Sequence, residues 1–196
     1  MSEFQLFLGL GKDHILDYQN GYDHILFVVS LCAIYQVRDW KKVLVLITAF
    51  TIGHSVTLAL ATWRLVEFRN DVIEFLIPLT ILITCLSNIF MKEGSLNRGT
   101  VSINYAFALV FGLIHGLGFS NYLREVLGRK ESIASPLLAF NLGLELGQII
   151  VVALFMMLTL ILVDFFGASR RDWRLVLSSA IGGIALILIK DSELLS

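Results

Sequence analysis

The sequence predicts an all-α, polytopic membrane helix bundle: about six transmembrane helices with a short N-terminal interfacial helix, in one domain over residues 1–196. Three observations carry that expectation. Hydrophobic residues make up 57% of the chain and charged ones 16%, with a mean hydropathy of +0.80. Soluble domains are roughly 45–50% apolar and 25% charged. The apolar residues also fall in continuous runs of bilayer length, where a barrel would alternate them. Finally, only two prolines interrupt the chain, and a helix is the element that pairs its own backbone groups in lipid.

The elements follow in order. The segment FQLFLGL at 4–10 is too short to span, and with Lys12, Asp13 and Asp17 after it the reading is a helix lying in the interface. MSEFQ has no basic residue, so no signal peptide is expected. Six apolar runs come next, at about 21–37, 43–63, 72–91, 101–123, 133–163 and 174–190. The first and sixth are short for a span. The fifth is too long to stand upright, and either tilts or projects beyond the bilayer as far as Asp164. Trp40, Trp63 and Trp173 lie near the ends of runs, as interfacial anchors do.

Charge excludes other classes. The net charge is −1 and no Lys/Arg run is present to neutralise phosphates, so nucleic acid is not an expected partner. Cys32 and Cys85 both sit inside apolar runs and read as small core residues. Six spans place both termini on one side, here called side A. Lys and Arg divide as seven on side A and eight on side B. Side B carries its cations in short loops with few acids, which favours side B as cytoplasmic.

Ionisable groups inside a span cost about 2.5–3.5 kcal/mol each on insertion scales and usually face a bundle interior. Asp23 and His24 open the first run. His54 lies about nine residues before the side-A end of the second run, and His115 about eight before that of the fourth. Asn141, Glu145 and Gln148 follow one face of the fifth run at i, i+4 and i+7. At 1.5 Å per residue, His54, His115 and Glu145 fall roughly 12–18 Å below the side-A surface. Several helices thus place imidazole, carboxylate and amide groups in one half of the bilayer.

That convergence is what a shared metal site requires, since neutral imidazole with carboxylate suits divalent transition metals. The candidate ligands are Asp23, His24, His54, His115 and Glu145, with Asn141, Gln148, Thr51 and His14 in support. His14 lies outside the runs and reads as interfacial. The plainer alternative is that each buried histidine bonds a neighbouring helix. Gly112 and Gly116 bracket His115, and Gly143 and Gly147 bracket Glu145, in small-xxx-small patterns that let backbones approach closely.

The motifs YDHILF at 22–27, FTIGHSVTLAL at 50–60, FGLIHGLGFSNYL at 111–123 and FNLGLELGQ at 140–148 resemble the HupE/UreJ family of bacterial membrane proteins, closest to its second branch. The resemblance implies a nickel or cobalt permease or a metal-supply accessory of the bacterial inner membrane. It also implies Asp23, His24, His54, His115 and Glu145 as the functional polar residues, with Asn141 supporting. The permease branch spaces His and Asp-His by five residues in its first helix; here eight lie between His14 and Asp23. The expected ligand is therefore zinc, nickel or cobalt, and the expected partners are the bilayer and proteins of metalloenzyme maturation. A membrane-embedded metal-dependent hydrolase, or an accessory subunit with a structural polar cluster, stands as the alternative.

Overall fold

The computed structural model describes residues 2–17, 21–92, 98–127 and 133–195. Eight α-helices occupy these segments: α1 (Glu3–Leu16), α2 (Tyr22–Cys32), α3 (Trp40–Thr62), α4 (Asn70–Phe90), α5 (Arg98–Gly118), α6 (Ser120–Leu127), α7 (Ala134–Thr159) and α8 (Arg170–Lys190). Among the described residues, five helical stretches are long and apolar enough to cross a membrane. They correspond to the second to sixth runs of the sequence.

The first run behaves differently. Only Tyr22–Cys32 is helical, 11 residues, which at 1.5 Å each covers about half of a bilayer core. The helix stops because Gln36 and Asp39 organise a new turn: the Gln36 N–H donates to the Asp39 carboxylate at 3.3 Å, and Lys42 donates to the same carboxylate at 2.7 Å. That turn, Val37–Asp39, leads directly into α3.

Reciprocal bonds open α1, where Ser2 Oγ accepts from the Gln5 N–H at 3.2 Å and Gln5 Oε1 accepts from the Ser2 N–H at 3.0 Å. Its buried face, Phe7, Gly11 and Ile15, docks lengthwise on α7. The glycines make this possible. A Cβ on Gly143 would run into the Leu8 carbonyl and come within 2.9 Å of Lys12 N. The two backbones are therefore in direct contact, where dispersion and Cα–H···O contacts are gained.

The same device joins α3 to α5. A Cβ on Gly112 would overlap the Phe50 carbonyl and lie 3.1 Å from His54 N. A third pair, α4 and α8, packs alongside, and α2 is held between α4 and α7. The Asn88 side chain on α4 donates to the Ser30 carbonyl on α2 at 2.7 Å. Phe27, Phe50, Phe111 and Phe140 lie at the centre of the core. Outward, Leu154, Met157 and Leu158 of α7 and Leu186 and Ile187 of α8 are exposed. Such continuous apolar surface belongs against lipid rather than water.

Candidate metal centre

The centre is assembled where α1 ends and α2 begins. The Gly21 N–H donates to the Asp17 carbonyl at 2.8 Å, just beyond the end of α1. A side chain at Gly21 would collide with the His14 carbonyl, so only glycine lets α2 start so close. The result sets His14 and His24 edge-on, with ring centroids 4.6 Å apart. The longer spacing between His14 and Asp23 is taken up by this break in the helix.

His54 on α3 and His115 on α5 complete the group, at 6.0 and 5.2 Å from the His24 ring. His14, His24 and His54 each offer a ligand atom within 4.8 Å of the other two. His24, His54 and His115 are buried.

Two of the imidazoles have their protons placed by hydrogen bonds. The Asp23 carboxylate, which can only accept when ionised, takes the His24 Nδ1–H at 2.9 Å and the His24 backbone N–H at 2.8 Å. The His115 Nδ1–H donates to the Phe111 carbonyl at 2.8 Å. In the neutral form of either ring that bond leaves Nε2 with its lone pair, the form that binds metals, and the bond at Nδ1 is the usual orienting partner. His14 lies outside the long spans; burial pushes its pKa down to about 3, so its ring is neutral at ordinary pH.

The ring nitrogens that remain are orphaned. His14 Nε2, His24 Nε2, both nitrogens of His54, and His115 Nε2 are buried with no hydrogen-bond partner among the described residues. Leaving one polar group unpaired in an apolar medium costs about 1–3 kcal/mol. Aromatic rings close around them: Phe119 lies 3.9 Å from the His14 ring, Phe27 5.1 Å and Phe50 5.2 Å from that of His115, and Phe140 stacks on His54 at 6.5 Å. Such an apolar surround strengthens any charge interaction beside it.

The residues of α7 form a separate layer. Thr48 Oγ1 donates to the Glu145 carboxylate at 2.6 Å, and Thr51 Oγ1 donates to Gln148 Oε1 at 2.9 Å. Thr48 precedes His54 by six residues of α3, so this layer lies towards side B. Asn141 Oδ1 and Gln148 Nε2 are buried without partners. Ser55 and Thr57 bond carbonyls of their own helix, not an imidazole. Ser120 likewise bonds the Leu117 carbonyl. A cavity of about 610 Å³, bounded by Asp13, His14, Asp17, Phe119 and Tyr122, opens beside His14.

Sequence reasoning treated His14 as interfacial, whereas the structure brings it into the group. The helix-breaking Gly21 is the signal that points to this. One member of the aromatic wall has a sequence signal too, because Phe50 stands four residues before His54, one helical turn away.

Fold and centre together define a helical membrane protein with a polyhistidine cluster enclosed between its helices. The chain belongs to the HupE/UreJ family: the family model described as HupE / UreJ protein matches residues 1–190, the family that the four motifs resemble. No curated protein and no solved structure matches the chain.

Proposed function

We propose that this protein binds a divalent transition metal ion, nickel, cobalt or zinc, at the histidine cluster and carries or supplies it across the bacterial inner membrane, with side B in the cytoplasm. The single observation behind this reading is the set of five buried, unpartnered ring nitrogens contributed by four helices. No packing argument rewards such a set, whereas one cation can take a nitrogen from each of His14, His24 and His54 at once. Neutral imidazoles are the right chemistry, because borderline nitrogen donors prefer these metals to calcium or magnesium. His14, His24 and His54 act as ligands and His115 as the adjoining fourth. Asp23 holds the His24 ring in its metal-binding tautomer and balances charge. Asp13 and Asp17, at the mouth of the cavity beside His14, draw cations towards it. Glu145 with Thr48, and Gln148 with Thr51, form the next polar station along the route towards side B.

Metal analysis of the purified protein tests the centre. About one bound ion is expected, with loss in both His54→Ala and His115→Ala; unchanged metal content in the two variants removes the proposal. Uptake of radioactive nickel, cobalt and zinc into proteoliposomes then separates transport from supply.

One observation favours a second reading. The cavity at His14 opens on one side of the cluster, and the cavity on side B is lined by none of the histidines. A one-sided centre also suits a membrane-embedded metal-dependent hydrolase, in which the ion would supply an activated water and Asp23 would orient His24 as before. Absence of flux for every metal, with metal still bound, selects this reading or that of an accessory subunit.

A further inference from the structure

On side B, away from the histidines, the ends of α2, α4 and α7 and the start of α8 enclose a cavity of about 580 Å³. Its lining is strongly basic: Arg38, Lys92, Arg170, Arg171 and Arg174 face it, against the carboxylate of Asp164. Asp164 offsets little, because it meets Arg170 at 3.5 Å with both side chains more than half exposed. Arg174 donates to the Met91 carbonyl at 2.9 Å, which holds its guanidinium in the wall. Its Nε is buried and has no partner among the described residues.

The backbone is shaped to form this wall. At Leu160–Phe165 the final turn of α7 widens to a π-helix, a distortion often found at functional sites. Gly167, with φ +73°, then reverses the chain into α8. This places Trp173 in the wall, its Nε1–H donating to Thr159 Oγ1 at 3.3 Å. Phe165 and Phe166 project outward beside the cavity, 79% and 71% exposed. Cations converging next to exposed aromatic rings at the ends of membrane helices match a phosphate held at headgroup level.

We infer that this cavity is a binding site for a phosphate-bearing anion, with the headgroup of an anionic phospholipid as the expected source and free phosphate as the alternative source of the same group. Several cations around one cavity, with Arg174 held in its wall, stabilise a phosphodiester far better than a zwitterionic headgroup, whose own ammonium they repel.

The test is thermal unfolding of the full-length protein in neutral detergent, titrated with phosphatidylglycerol, with phosphatidylcholine or with inorganic phosphate. Phosphatidylglycerol is expected to raise the midpoint saturably and phosphatidylcholine to leave it unchanged. Lys92→Gln and Arg171→Gln should each weaken the phosphatidylglycerol response about fivefold. Among the described residues neither side chain makes a hydrogen bond, and both are exposed, so both variants remain interpretable. Lys41→Gln is the control: that ammonium lies over the Trp40 ring and outside the cavity, so its response should match the parent. An equal response to inorganic phosphate, lost in the same variants, would make the phosphate group alone sufficient and also support the site. No saturable response to either anion, or an equal loss in Lys41→Gln, overturns the proposal.

Discussion

Substituting Gly147 by alanine tests whether helix contact sets the metal centre. A Cβ at this position would lie 2.9 Å from Ile15 Cβ and 3.0 Å from the Lys12 carbonyl oxygen. Carbon atoms rest at about 3.5–4.0 Å, so α1 and α7 must separate by roughly 0.7 Å. Because α7 is packed by α2 and α3 as well, α1 is the element that gives way. It carries His14, the neighbour of Ile15. Metal ligands hold their distances within about 0.2 Å, so a displacement of this size takes His14 out of the ligand set. Gly147→Ala is therefore expected to lower metal affinity about 10–100-fold, the range seen when a ligand loses its orienting support. Overpacking should also cost about 1–3 kcal/mol of stability. Gly9→Ala on α1, the helix that carries His14, is the control, since nothing lies within 4 Å of its added carbon, and should leave metal binding alone. Isothermal titration with zinc and nickel, beside thermal unfolding, measures both effects. Parent-like affinity in folded Gly147→Ala protein, or an equal loss in Gly9→Ala, would refute the reasoning.

Four further outcomes are expected. Metal at a hundredfold excess over its dissociation constant should stabilise the parent by about 2.7 kcal/mol, and chelation should abolish the gain, as read by unfolding midpoints. His54→Leu should lose that metal response without destabilising the metal-free protein, because both His54 ring nitrogens are buried and unpaired; a large loss of metal-free stability would show that the ring has a structural role. Asp23→Asn should stay folded yet bind metal about 10–100-fold more weakly, since the His24 tautomer is no longer imposed. Glu145→Gln should keep metal affinity within about threefold while slowing proteoliposome flux, and a collapse of affinity would move Glu145 into the ligand set.

Much of this protein follows from local composition. Apolar runs of bilayer length specify helices wherever water is excluded, and five of the six expected runs form helices long enough to cross. Position along a helix was legible for His54, which stands eight residues before the end of α3, whereas His115 falls in the last turn of α5 because that helix stops at Gly118. The HupE/UreJ motifs stood in the sequence as contiguous letters. What tertiary structure decided is which side chains share a point at that depth. His14 meets His24 because Gly21 lets α2 begin against the end of α1, while Glu145 lies one layer away because Thr48 of α3 takes its carboxylate. The length of α2 was likewise decided by a turn that Gln36 and Asp39 build beyond it. Contacts such as Gly112 on Phe50 and Gly143 on Leu8 join residues 62 and 135 positions apart. The rotation and lateral order of helices depend on such long-range surfaces, and nothing in the periodicity of a single apolar run encodes them.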